Sequence, residues 1–419
     1  MMTKYMGHKL RSSVKRSFSI VLAFSLLLGL ASCKSKKKDN GLSSCTNVEK
    51  QLDSLKNVEG NIWVNEDEKY ETLVDLMLYE TQETDFRGSM IVATDDDVIF
   101  ASGTRLLDID GNEVTPYTTY ELGSIAKSFA ALCILKLREE GKLSLDDELG
   151  KYFPEYSSCA NFENTSKVTI SQLLHMRSGI PDDKNEPDLF WGMDKKDSWL
   201  NPTLSINPTK QGEVLNGFYE NVDDDAFLNQ AFTTELIYEP GSKASYSNAN
   251  YWILAIIVEK ISGKAYDDYV NEVIFTPCNM TSSSSLKSGD VTASMAPGTW
   301  SFRPETTKGS GDINGSAVDL LKYDRALFGG YLLNQESMDI LLDPIDKYGC
   351  GWEIFDGKIA HGGATPGFHT YHIIFEKDGQ HLYAIMLANS GENKLDKFLI
   401  EQIEKAFDGI QENAEEKAA

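Results

Sequence analysis

The chain has 419 residues, 41% of them hydrophobic and 25% charged, enough apolar sequence to bury a large core and, by length, two to three domains' worth. A formal net charge of −24 argues against a nucleic-acid partner, because a phosphate-binding face needs clustered basic residues. The six cysteines, Cys33, Cys45, Cys133, Cys159, Cys278 and Cys350, contain no Cys-x-x-Cys pair and no Cys/His cluster, so neither a disulfide framework nor a metal site is expected.

The N-terminal stretch holds Lys4, Lys9, Arg11, Lys15 and Arg16 and no acidic residue, and then an apolar run from Phe18 to Ala31. That run is too short for a comfortable transmembrane span. Its ending, Leu30-Ala31-Ser32-Cys33, resembles a bacterial lipobox, which implies cleavage before Cys33 and lipid on the cysteine thiol and new amino group. Residues 1–32 are therefore expected to be a lipoprotein signal peptide. The polar residues 33–70, opening with Lys34-Ser35-Lys36-Lys37-Lys38, then read as a lipidated cysteine and flexible tether. A domain over 71–410 and a tail over 411–419 follow, held at the membrane of a bacterial cell envelope.

Leu73, Leu76, Met77 and Tyr79 have helical spacing. Met90-Ile91-Val92-Ala93 and Val98-Ile99-Phe100-Ala101 flank Asp95-Asp96-Asp97 as a hairpin, read as the first two strands of a sheet. Next comes Gly123-Ser124-Ile125-Ala126-Lys127-Ser128-Phe129, running into the apolar stretch Ala130 to Leu135. A spacing of three puts Ser124 and Lys127 on one face of a helix, and the unpaired N–H groups of the helix start favour developing negative charge. Burial under the apolar turns would lower the lysine pKa, so that it could accept the serine proton. The same spacing at Ser12, Ser35 and Ser284 opens no convincing helix of a fold.

The Ser124 helix is expected to end at Gly141, and Thr169-Ile170-Ser171-Gln172 has capping-box spacing before a short helix that ends at Ser178-Gly179. From Pro181 to Thr234 the chain turns polar and irregular, as an insertion over the site would. Tyr246-Ser247-Asn248 forms a loop tip before an apolar helix from Tyr251 to Ile261, and Thr281 to Ser285 is a low-complexity patch without functional weight. The last third returns to strands, with hairpins at Asp356-Gly357 and Asp378-Gly379, and a final helix carries Leu395, Phe398, Leu399, Ile403 and Phe407 on one face. Strands at both ends with helices between imply an α/β chain, an antiparallel sheet flanked by helices plus a mostly helical lobe with an insertion over about 143–300.

Three elements thus stand in order: Ser124-x-x-Lys127, Tyr246-Ser247-Asn248 and His361-Gly362-Gly363. This set resembles the serine β-lactamase and penicillin-binding-protein superfamily, in particular the branch of class C β-lactamases, D-alanyl-D-alanine carboxypeptidases and related esterases and D-amino-acid peptidases. The resemblance covers roughly 72–408, with supporting phrases at Glu140-Gly141-Lys142-Leu143-Ser144-Leu145-Asp146-Asp147 and His361-Gly362-Gly363-Ala364-Thr365-Pro366-Gly367. It implies a β-lactamase/transpeptidase-like fold in which Ser124 attacks a carbonyl while Lys127 and Tyr246 take and relay the proton. Asn248 would orient the substrate amide. The N–H groups of Ser124 and Ala364 would form the oxyanion hole, with His361 and Gly363 on the substrate-binding strand and neither metal nor organic cofactor.

The lactamases of that branch usually carry Lys-Thr-Gly where this chain has His361-Gly362-Gly363, which removes a permanent cation from the carboxylate-binding strand. The expected activity is therefore a serine hydrolase acting on small esters, amides or D-amino-acid peptides ahead of penicillins and cephalosporins. His361 would regain a cation only below about pH 6.5. The other readings are a β-lactamase or D-Ala-D-Ala carboxypeptidase, and a binding protein that acylates without turnover and holds cell-wall peptide. Expected partners are a small-molecule or peptide substrate and, through the lipid, the membrane.

Overall fold

The computed structural model describes residues 41–204, 206–287, 289–389 and 397–418, so the expected signal peptide, Cys33 and Leu395 lie outside the described residues. The apolar runs at the two ends of the chain form strands: β1 (Lys56–Glu59), β2 (Ile62–Val64), β3 (Gly88–Thr94) and β4 (Val98–Thr104) from one end, then β8 (Glu353–Phe355), β9 (Lys358–Ala364), β10 (Phe368–Lys377) and β11 (Gln380–Asn389) from the other. They make one antiparallel sheet in the order β1-β2-β4-β3-β11-β10-β9-β8. The β3–β11 pairing joins the halves, setting Thr94 opposite Leu382 and Gly88 opposite Ala388. The short strands β5 (Tyr120–Glu121), β6 (Ser284–Ser285) and β7 (Ile313–Gly315) form a second sheet in the order β5-β7-β6, so the polar Thr281 to Ser285 patch has a structural use.

Among the helices are α1 (Val48–Leu52), α2 (Glu71–Glu83), α3 (Ala126–Glu139), α4 (Ile170–Leu174), α5 (Asn248–Ser262), α6 (Ala317–Phe328) and α7 (Lys397–Ala418). Alternation along β3 divides the core. Met90 and Val92 face Leu73, Met77, Ile403 and Phe407 of α2 and α7, whereas Ile91 and Ala93 join the larger core that contains α3, α5 and α6. Every residue of α3 from Ala126 to Leu135 is buried, the pattern of a helix packed on all sides. The expected capping box is present at the head of α4, where Thr169 Oγ1 accepts from the Gln172 N–H at 3.2 Å and Gln172 Oε1 accepts from the Thr169 N–H at 3.0 Å.

Two domain boundaries differ from expectation. Residues 41–70 are not a tether: Val48, Leu52, Ile62 and Val64 are buried, and β2 pairs with β4, so Met90 and Val98 do not begin the first strands. The i,i+4 pair on α1 and the i,i+2 pair on β2 are thinly spread through polar residues, so average composition hides them. Gln51 fixes α1 further, accepting from Arg325 Nη1 at 2.7 Å and donating to the Asp96 carbonyl at 2.6 Å. The expected tail at 411–419 is also not separate, since α7 runs through Ala418.

Candidate active site

Ser124 lies in a 3₁₀ turn, Gly123–Ile125, that leads into α3, so the serine precedes the α-helix by two residues instead of opening it. Lys127, wholly buried in the first turn of α3, holds its Nζ 3.1 Å from Ser124 Oγ, 2.8 Å from Asn248 Oδ1 and 2.7 Å from the Ser310 carbonyl. The last two atoms can only accept. A neutral amine therefore directs its two N–H bonds at them and turns its lone pair to Ser124, the one neighbour with a proton to give. Burial pushes the Lys127 pKa down to about 7, against the opposing charge of Asp182.

Tyr246 and Asn248 come from the loop and first turn at the head of α5. Lys127 Nζ sits 4.8 Å from the centre of the Tyr246 ring. Burial raises the Tyr246 phenol above its ordinary pKa and an interaction with the Ser124 hydroxyl lowers it; the 40% of the residue open to solvent weakens the rise. At neutral pH this phenol is protonated and can donate. The Asn248 carboxamide bridges two groups, accepting from Lys127 and donating through Nδ2 to Asp182 Oδ2 at 2.9 Å. One Nδ2 hydrogen is left for a substrate carbonyl. Asp182 also accepts the N–H of Asn248 at 3.1 Å and those of Lys184 and Asn185 at 2.9 and 3.0 Å, so one buried carboxylate holds the base-bearing network in place.

The third element is the open end of β9. Strand β8 reaches only to the Glu353–Ala360 pair, and beyond it, among the described residues, the β9 edge from His361 to Ala364 has no strand beside it. Thr365 and Phe368 exchange ladder bonds at 2.9 and 3.4 Å, which makes Ala364 and His369 a non-hydrogen-bonded pair and turns the Ala364 N–H out from that free edge. The Ser124 turn packs against it closely enough that a Cβ on Gly363 would lie 1.9 Å from the Leu122 carbonyl, and one on Gly123 would lie 2.9 Å from the Ala364 nitrogen. Two backbone donors, Ser124 at a helix start and Ala364 at a strand edge, thereby border one cleft.

The structure corrects the expectation for His361. Its ring is 2% exposed, with Nδ1 2.7 Å from the Gly362 carbonyl and Nε2 3.0 Å from the Tyr348 hydroxyl. The carbonyl can only accept, so Nδ1 carries the proton and Nε2 accepts from Tyr348. Burial, aided by the nearby Lys127 charge, pushes the imidazole pKa down to about 3. It therefore remains neutral near pH 6.5 and supplies no cation there.

Ser124 stands where two clefts meet, one of about 440 Å³ toward β9 and β10 and one of about 290 Å³ toward Asn248, Lys184 and Phe302. Hollows of about 500 and 520 Å³ elsewhere, beside Asp95–Asp97 and Glu235–Pro240, are lined by no serine or cysteine. All the candidate site residues but Cys33 thus converge. Three participants went unread in the sequence: Asp182, the Ser310 carbonyl and Tyr348. Of these only Asp182 left a signal, because an Asp accepting from residues two and three places on is an Asx turn.

A family model described as Beta-lactamase matches residues 81–406. PbpX of Bacillus subtilis (strain 168), a candidate penicillin-binding protein by name, is 26% identical over 334 residues, covering 74% of this chain and 73% of its own length. Protein flp of Staphylococcus aureus (strain N315) is 29% identical over 197 residues, 47% of this chain and 34% of that relative. Among solved structures, D-amino acid amidase from Ochrobactrum anthropi SV3 complexed with D-phenylalanine superposes with a TM-score of 0.60 at 18% identity, over 82% of this chain and 99% of its own. FmtA from Staphylococcus aureus gives 0.59 at 17% identity, over 88% and 96%. At these identities the structural likeness concerns the fold alone.

Proposed function

Because the chain belongs to the β-lactamase family, with its serine-hydrolase fold, we propose that it is a serine hydrolase working through an acyl-enzyme on Ser124. Lys127 takes the Ser124 proton as Oγ attacks the substrate carbonyl. The oxyanion that forms is received by the N–H groups of Ser124 and Ala364, a type of contact typically worth ~3 kcal/mol per donor. Tyr246 passes a proton to the departing group, and water then releases the acyl group from Ser124. The observation that carries this reading is the buried Lys127 amine 3.1 Å from Ser124 Oγ, its two other neighbours being acceptors only.

Small esters, amides or D-amino-acid peptides are the proposed substrates, ahead of penicillins and cephalosporins. The neutral His361 supports this, because no cation stands on the cleft-lining end of β9, His361 to Ala364, to hold a substrate carboxylate. A fluorophosphonate probe should label the wild-type protein at Ser124, and Ser124→Ala should abolish the label with little change in thermal unfolding. Label that persists in Ser124→Ala moves the nucleophile elsewhere. Stoichiometric labelling without turnover of any ester would make the protein a binder of acyl donors and not an enzyme. The site is proposed to be displayed at a membrane surface through lipid on Cys33.

A further inference from the structure

The cleft between Ser124 and β10 contains a carboxylate that acyl transfer does not use. Glu353 begins β8, pairs with Ala360 and bridges to Tyr348, and its side chain lines the same cleft as Ser124 and Tyr246. It is the only Asp, Glu, Lys or Arg among the residues lining that cleft. Burial raises its pKa, and among the described residues no cation or hydrogen-bond donor offsets that rise. Two tyrosines, Tyr246 and Tyr371, line the same cleft. His361 beside them is neutral, and His369, the other imidazole on this cleft, has a partner of its own. A half-buried carboxylate in a cleft also lined by two phenol rings, with no Lys or Arg among the lining residues, matches what an ammonium ion requires: an opposite charge and aromatic groups in a partly desolvated site.

We propose that Glu353, with Tyr246 and Tyr371, forms a subsite for a substrate ammonium group, so that the hydrolase prefers acyl donors bearing a free amine over N-acylated or carboxylate-bearing ones. This rests on Ser124 being the nucleophile, since the subsite is useful only beside it. A carboxylate-bearing substrate meets repulsion here in addition to the missing cation at position 361. Binding can be tested apart from catalysis. Calorimetric titration of Ser124→Ala with phenylalaninamide, which carries an ammonium, and with N-acetylphenylalaninamide, which does not, should show at least tenfold tighter binding of the amine. Glu353→Gln in the same background should lower affinity for the amine about ten- to a hundredfold, the worth of a charge-assisted hydrogen bond, and leave the N-acetyl ligand unchanged. No preference for the amine, including no measurable binding, or a preference that survives Glu353→Gln, overturns the proposal. Fluorophosphonate labelling of wild type reports on Ser124 separately, so failure of the nucleophile and failure of the subsite are told apart.

Discussion

At the scale of the residue, the pH dependence should follow Lys127. Its amine must be neutral to take a proton, and burial sets its pKa near 7. Below that value the neutral fraction falls tenfold per pH unit, so kcat/KM for a neutral ester should fall with the same slope on acidification and level off above about 7.5. Lys127→Arg, charged at every accessible pH, should lose about 10²- to 10⁴-fold and with it that inflection. A flat wild-type profile between pH 5.5 and 7 would remove Lys127 as the base. Ser124 and Lys127 were legible because a separation of three, across a 3₁₀ turn running straight into α3, fixes their relation locally. The charge state of His361 was not legible, since it depends on the Tyr348 and Gly362 contacts that bury it. Asp182 was hidden for a similar reason: its importance comes from meeting Asn248, 66 positions away in sequence.

Among the elements, α1, β1 and β2 were misread most, and they carry a stability prediction. Val48, Leu52, Ile62 and Val64 are buried, each contributing roughly 1.5–3 kcal/mol. Together these approach the whole net stability of a domain, ~5–15 kcal/mol. Their removal also bares the edge of β4. A chain beginning at residue 67 should therefore unfold at least on the order of 10 °C below one beginning at residue 41, or fail to fold. Equal melting temperatures in differential scanning calorimetry would return this segment to the status of a tether. The hairpins at Asp95–Asp97 and Asp378-Gly379 were legible because apolar runs and turn residues alternate there without a break. Strand β8 spans only Glu353–Phe355, and this short length is what leaves the Ala364 N–H facing the cleft.

For the whole molecule, the α/β architecture was legible from strands at both chain ends with helices between, whereas the proposed lipid anchor, Cys33, lies outside the described residues. No described helix is long and apolar enough to cross a membrane. If Cys33 is lipidated, the full-length protein should enter the detergent phase of a Triton partition and Cys33→Ala should leave it; unchanged partitioning removes the anchor. The pairing of β3 with β11 has a consequence in time. A ribosome delivers Gly88–Thr94 long before Gln380–Asn389, and until then the inner edge of β3 has only β4 beside it. The open end of β9, which supplies one side of the cleft at Ser124, also belongs to that late portion. Ser124 and Lys127 can thus meet on a half-made chain, but the groove beside them is completed only as synthesis ends, so the proposed hydrolysis can begin no earlier than the closing of the sheet.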